Sequence, residues 1–565
     1  MSTISNGSIT ILEALNNIES GKYIMPAFQR QYVWSLEQIE KLWDSILSDY
    51  PISTFLLWHV DDKVVSADTF FCDFLKEVTF DSRRMADGVN FNVTTINVDK
   101  RDTAVLDGQQ RLTSLYLSLF GTAYIRGRYQ RKSSQEGSVA RIYIELDKDK
   151  SVLDDENGLN AKRIDIRYSE KEGKATPSQF ELRNILEDRF IDRKTRVDAI
   201  NEACKFVSEK SKEYAKCLLN KLCEKIFEEK LVTFTELYDM NQDDALEMFI
   251  RFNSGGKALK KSEISMSILA TYWSTSRTEF GNLLSGTFKE FGTDFIIRAA
   301  LMIYGDVTKP NINKKIVDDL KNNWSEFKIA IKNLEKVITK DMEYDINRFN
   351  RAWNVLLPIL YVIYNNPEYE KCIDAMRIYL IRAILFIYFR SGTTGKLQEM
   401  KRQINNYNYE ITVEMLDNIT SLMVTDGKIE DVLNAEKGSR VAGEILYFLS
   451  YQSIDVTINY DEDHLHPFDK FNNSHPFGVD KKDWIEWGNN RNRLPNLHLL
   501  EGRSNKSKNA MSLIEYYNSM NSMQQKEFMK KSFIPEDCSL ELKDFGEFYV
   551  KRKKLLEEEI KKLIK

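Results

Sequence analysis

An α+β chain built of several domains is predicted by three observations. Strand and helix signals are mixed over the first ~150 residues, helical periodicity dominates from about 180 to 450, and two-residue alternation returns near Ser453. The chain has 565 residues, enough for about two to four domains with buried cores. The changes of pattern divide it into 1–175, 176–450 and 451–565.

Ser35 opens an S-x-x-Q box ahead of Leu36, Ile39, Leu42, Trp43, Ile46 and Leu47, whose spacing is helical. Pro51 is expected to end that helix, and Phe55–Val60 reads as a buried strand. Ala104–Leu106 is a short strand that runs through Asp107-Gly108 into a helix carrying Leu112, Leu115 and Leu119. Arg141–Leu146 is another strand, and the polar, turn-rich residues 150–175 read as a boundary or surface insertion. Helices follow over Arg193–Lys230, Asp243–Phe252, Ser262–Thr275 and the block Trp353–Phe389, with no fixed repeat. Ile454, Val456 and Ile458 alternate with Asp455, Thr457 and Asn459, a strand with one buried face. Lys551–Lys565 mixes both signs of charge and reads as a solvated amphipathic helix rather than a nucleic-acid tail.

Composition narrows the class. Apolar residues make up 42% and charged residues 29%, the balance of a soluble globular protein. A net charge of −5 argues against a general basic DNA coat and leaves room for a local basic groove. The cysteines at 72, 204, 217, 223, 372 and 538 contain no C-x-x-C pair, which argues against a zinc ribbon. Their sparseness suits a reducing cytoplasm. The start MSTISNGSIT lacks the basic and apolar regions of a secretion signal. The apolar runs Val355–Tyr364 and Ala383–Phe389 are much shorter than the ~18 residues of a membrane span and read as core helices.

The chemistry gathers near the carboxy terminus. Four of the five histidines, His464, His466, His475 and His498, fall between 464 and 498. Asp463-His464-Leu465-His466-Pro467 follows the predicted strand. Asn496-Leu497-His498-Leu499-Leu500 forms the next, and Asn505 and Lys508 open a helix capped near Ser504. Phosphodiester hydrolysis needs a base for the attacking water and a cation at the phosphate. A neutral imidazole suits the first role, assigned to His464. The hard oxygens of Asp463 and Asn505 suit magnesium or manganese, and such a small protein ligand set leaves most of the shell to water and phosphate. Asn496 is expected to orient the histidine or tie down the loop. Lys508, Arg503, Arg493 and Arg491 form a basic cluster for phosphates. His466 reads as exposed or phosphate-contacting, His475 as structural, and His498 as completing a strand face. Asn505 also reads as a helix-start residue.

Three more strings stand out: Phe28-Gln29-Arg30-Gln31-Tyr32-Val33-Trp34, Asp107-Gly108-Gln109-Gln110-Arg111, and Phe249-Ile250-Arg251-Phe252-Asn253-Ser254-Gly255-Gly256. In the second, Gly108 allows close backbone approach, the helix start offers free N–H groups to an anion, and Arg111 has the fork for a phosphate. Asp107 with Gln110 reads equally as a plain capping box, and the third string as a helix with a glycine C-cap.

The order D-H-x-x-P, N-L-x-L-L, N-x-x-K resembles the HNH (ββα-metal) nuclease fold: Asn505 lies nine positions after Asn496, and Lys508 three further. Many HNH domains carry histidine where this chain has Asn505; those of CRISPR effector nucleases make the same replacement. The F-Q-R-x-Y-V-W, D-G-Q-Q-R and F-x-R-x-N-S-G-G strings resemble the ParB/sulfiredoxin-like domain of GmrSD-type modification-dependent (type IV) restriction proteins, in which that domain is joined to an HNH domain. The resemblance implies a cytoplasmic antiviral endonuclease that nicks or cuts DNA. Its amino-terminal half, completed by residues 240–270, would bind or hydrolyse a nucleoside triphosphate (GTP, ATP, UTP or CTP) and sense modified phage DNA. It implies nucleotide-binding or DNA-sensing roles for Gln29, Arg30, Asp107, Gly108, Gln109, Gln110, Arg111, Arg251 and Asn253. It leaves self-association open and calls for no membrane. No G-x-x-x-x-G-K-[ST] string is present, so any NTP chemistry would not be of the P-loop type. A sensor whose HNH-like region is only a scaffold is the alternative.

Overall fold

The computed structural model of the chain describes residues 4–29, 31–60, 70–81, 83–86, 93–94, 102–126, 137–147, 163–169, 176–254, 261–309, 312–450, 460–501 and 511–565. Two compact units emerge, Met1–Arg277 and Thr278–Lys565. Divisions at 175 and 450, expected from changes in sequence pattern, therefore fall inside units. The reason is long-range pairing, which pattern does not register.

The strands of the first unit are β1 (Ile4–Ile9), β2 (Tyr23–Pro26), β3 (Phe55–Val60), β4 (Phe71–Cys72), β5 (Glu77–Phe80), β6 (Val93–Thr94), β7 (Asp102–Asp107), β8 (Thr122–Ile125), β9 (Ser138–Glu145), β10 (Ile166–Ser169), β11 (Gln179–Glu181) and β12 (Val232–Leu237). One sheet runs β1-β12-β3-β7-β2-β4-β6; a second runs β10-β9-β8-β5, with β11 also on β9. β12 lies antiparallel to β1 and parallel to β3. It comes from the stretch read as helical. β10 likewise lies inside the segment read as a boundary, paired antiparallel to β9.

Helix α1 (Ile11–Glu19) starts at a Thr10–Glu13 capping box, and α2 (Leu36–Leu47) at the expected Ser35–Gln38 box. α2 stops ahead of Pro51, at Ser48, where Asp49 takes a left-handed φ of 64°. α3 (Gln109–Leu119) follows β7 through Gly108. The apolar faces of α1, α2 and α3 pack with Phe55, Leu57, Val105 and Ile144 in one core.

The second unit is mostly helical, with Trp324–Lys336, Leu357–Asn365, Ile373–Leu385, Arg440–Ser450 and Phe545–Ile564 among its helices. One antiparallel pair, β13 (Tyr460–His464) and β14 (Leu497–Glu501), stands among them. The alternating strand expected over Ile454–Ile458 lies outside the described residues. The last helix is not solvated throughout: Phe545, Phe548, Leu556, Ile560 and Ile564 are buried, and so is Arg552. Among the described residues no helix is long and apolar enough to cross a membrane.

Candidate active site

The β13–β14 ladder is short and fixed in register: Tyr460 faces Glu501, Asp463 faces His498, and His464 faces Leu497. Because neighbouring residues of a strand point to opposite faces, Asp463 and His464 serve two sides of the hairpin end. The next turn is closed by Asn496. Its Oδ1 accepts from the His466 N–H at 2.9 Å, and its Nδ2 donates to the carbonyls of His466 (2.9 Å) and Arg491 (2.7 Å). Asn496 is 0% exposed, so these bonds replace the water it lost on burial. Its side chain holds the loop and makes no contact with the His464 ring among these bonds.

On one face, His464 Nε2 lies 3.0 Å from Asn492 Oδ1, and its ring lies 5.6 Å from that of Phe468. The Arg491 guanidinium sits 3.8 Å above the Phe468 ring and bonds Asn472 Oδ1 at 2.9 Å. An amide oxygen accepts only from a protonated nitrogen. The matching neutral tautomer therefore carries its proton on Nε2 and its lone pair on Nδ1. Asn492 carried no signal in the sequence beyond its place in a loop.

On the other face, Asp463 Oδ2 lies 3.5 Å from Nε2 of His498, which is 2% exposed. His498 Nδ1 is 3.2 Å from Ser532 Oγ, and its ring packs edge-on against Phe528. Burial raises the Tyr516 pKa, and the Asp463 charge raises it further.

Other members of the constellation fall differently. His466 is 1% exposed, wedged edge-on against Phe545 and Phe548. The expectation of an exposed or phosphate-contacting side chain is corrected: the turn held by Asn496 directs it into the small core under the hairpin. His475 is exposed in its loop. Arg493 bonds Asn434 and Asn490 at 3.0 and 3.2 Å, so it braces the site rather than offering an open fork. Arg503, Asn505 and Lys508 lie outside the described residues. Among the described residues, no three His, Cys, Asp or Glu side chains could together hold a metal ion.

In the first unit the three amino-terminal strings converge. Gln29 Nε2 donates to the carbonyls of Val105 (2.9 Å) and Leu106 (2.8 Å) at the end of β7. Gln110 accepts from the Val33 N–H at 3.1 Å and donates to the Gln31 carbonyl at 3.0 Å. The Phe28 and Phe249 rings stand 5.4 Å apart. Arg277, which the sequence did not single out, donates to the Gln29 carbonyl at 2.6 Å, and burial lowers its pKa.

These contacts sort the candidates. Gln29, Gln109 and Gln110 are buried, with Gln29 and Gln110 acting as amide clasps between strings. No capping box joins Asp107 and Gln110, because the N-cap is Gly108 and no side chain caps α3. Gly108 sits at φ +95°, where an added Cβ would meet Phe55 Cδ1 at 2.1 Å. Arg111 pairs with Asp107 at 3.1 Å, bonds the carbonyls of Ile52 and Thr54, and lies 4.5 Å over Phe55. Burial lowers its pKa, and the Asp107 charge opposes that. Asp107 remains partly exposed beside the start of α3. Arg251 is exposed and paired with Glu247. Arg30 lies outside the described residues, as does the side chain of Asn253.

An uncharacterized protein of Methanocaldococcus jannaschii is 31% identical over 117 residues, which cover 21% of this chain and 18% of that relative. The chain thus spans less than a fifth of that relative's length. Residues 11–270, from the start of α1 to the helix after the third string, match the family model of the GmrSD restriction endonuclease N-terminal domain.

Proposed function

We propose that this chain is a metal-dependent DNA endonuclease of the restriction type. Its cutting site would be the HNH-like hairpin of the second unit, governed by a nucleotide-binding or NTP-hydrolysing first unit that senses modified phage DNA. One observation carries the reading. The β13–β14 register sets Asp463 and His464 side by side at a strand end, above a turn locked by Asn496, in a chain whose first half matches a restriction endonuclease domain.

Asp463 would bring one hard oxygen, and Asn505, nine positions after Asn496 in the sequence, would bring another. That donor set fits magnesium or manganese, which keep several waters when bound by few carboxylates. The bound ion would supply positive charge at the scissile phosphate. His464 would take the proton of the attacking water on Nδ1, with Asn492 holding its Nε2–H. Arg491, spread over Phe468 on the same face, would meet backbone phosphates. In the first unit, the start of α3 and Asp107 are the groups through which a nucleotide would be held.

The test is plasmid cleavage by wild type and His464→Ala. Magnesium or EDTA, the presence of NTPs, and plain or phage-modified DNA are the variables. Magnesium-dependent cutting that falls by about 10²–10⁴-fold in the variant is expected. Full cutting by His464→Ala removes the HNH assignment. DNA or nucleotide binding without cutting under any condition makes the hairpin a scaffold.

A further inference from the structure

The histidine at the centre of the N-L-x-L-L strand has no place in the reaction described above, yet it is buried against the carboxylate that reaction needs. His498 and Asp463 are register partners on β14 and β13, with Nε2 3.5 Å from Oδ2. Ser532 Oγ lies 3.2 Å from Nδ1. A buried serine hydroxyl can donate or accept. Donation to Nδ1 leaves Nε2–H facing the carboxylate, whereas acceptance would aim a lone pair at a negative oxygen. Ser532 is itself fixed, because its carbonyl takes two bonds from the Arg552 guanidinium, at 3.1 and 2.9 Å. The same guanidinium holds the carbonyls of Leu494 and Leu497, at 3.1 and 2.7 Å, on either side of Asn496.

We propose that His498 is a positioning residue for the metal-binding carboxylate of Asp463, in a relay that runs Arg552, Ser532, His498, Asp463. The proposal rests on the reading of Asp463 as a metal ligand. At 3.5 Å the Nε2···Oδ2 approach is an electrostatic contact rather than a formed hydrogen bond. An N–H directed at Oδ2 favours one rotation of the carboxylate, so its oxygens meet a divalent cation in one preferred orientation. Outer partners of this kind set ligand geometry and basicity, and their loss costs about 10–100-fold in metal affinity.

The experiment is Mn²⁺ binding, read by electron paramagnetic resonance, on full-length His464→Ala protein saturated with a DNA duplex. Asp463→Ala, His498→Phe and His498→Gln are compared in that background. Asp463→Ala is expected to abolish the bound signal. His498→Phe should weaken Mn²⁺ about 10–100-fold. His498→Gln, whose amide reaches Asp463 as a donor, should recover most of that loss. Undiminished binding in Asp463→Ala overturns the metal site itself, and the relay with it. Loss in Asp463→Ala with full binding in His498→Phe overturns the relay alone, as does a Gln variant as weak as the Phe variant. Should His498→Phe fail to fold, Ser532→Ala keeps the carbonyl that Arg552 holds. It is expected to weaken Mn²⁺ measurably, and unchanged affinity there overturns the relay.

Discussion

The side-chain oxygen of Asn492 lies 3.0 Å from Nε2 of His464, across 28 residues of chain. That contact fixes the ring's rotation and tautomer. Asn492→Leu is therefore expected to lower the turnover of DNA cleavage by about tenfold, a fraction of the 10²–10⁴-fold that a general base supplies. With His464 as the proposed general base, KM for DNA should stay near the wild-type value, because the Asn492 side chain acts through the His464 ring. Steady-state cleavage of a defined duplex measures both. A changed KM with unchanged kcat would assign Asn492 to DNA binding instead.

Arg552 is a buried cation whose described bonds all run to main-chain carbonyls: Leu494, Leu497 and Ser532. Arg552→Leu keeps the volume and leaves those acceptors unmet, at a cost of about 1–3 kcal/mol for each group left unsatisfied. A loss of about 3–5 kcal/mol is expected in the second unit. Urea denaturation followed by near-ultraviolet circular dichroism of its tryptophans checks this. Arg552→Lys offers three donors without the planar fork and should fall between the two.

Gly108→Ala meets two penalties at once. A left-handed backbone costs an L-residue about 1–2 kcal/mol, and the new Cβ stands 2.1 Å from Phe55 Cδ1. Thermal melting of the full chain is expected to show an earlier transition, with a loss of about 2–4 kcal/mol in the first unit. Displacing Phe55 also disturbs the Arg111 guanidinium above it. NTP binding, where present, should weaken in parallel.

Thiol chemistry separates inside from outside. Cys217 is exposed. Cys72 is buried, and that burial pushes its thiol up to about 12; burial raises Cys223 to about 11 and raises Cys204 as well. A raised thiol pKa keeps the reactive thiolate scarce until the pH approaches that value. Labelling with a thiol reagent at pH 8 should begin at Cys217, and Cys217→Ser should remove the fastest phase. Equal rates at Cys72 and Cys217 would contradict this packing.

The sequence was legible where a local rule decides the outcome. The Ser35 box starts α2, Phe55–Val60 is β3, and Leu497–Glu501 is β14. It was opaque where the partner lies far along the chain. Val232–Leu237 carries the β-branched and aromatic residues of a strand, but it is too short to stand out from its helical surroundings, and its two neighbours, β1 and β3, lie more than 170 residues away. His466 looked like a surface histidine because Phe545 and Phe548, which enclose it, belong to the last helix. Gln29 and Gln110 show a different ambiguity. An amide bonds a ligand or a main-chain carbonyl by the same geometry, and only the contacts to Val105, Leu106, Gln31 and Val33 distinguish the two. Asp463 and His464 were legible as a pair, while His498 and Ser532 were not, since their meeting requires both the hairpin and a later helix end.

The place of β12 governs the order of events during synthesis. β1 is made first, but among the described residues its one strand partner is β12, which also covers one edge of β3. Until residue 237 has left the ribosome, both strands present bare edges, the kind of surface that pairs promiscuously between nascent chains. A fragment ended at the polar stretch near 175 would carry that hazard permanently. One ended after Arg277, where the first compact unit closes, would not. The amino-terminal sheet is thus completed while the hairpin bearing Asp463 and His464 is still untranslated, so under the proposed function the regulating half folds before the half it would govern exists.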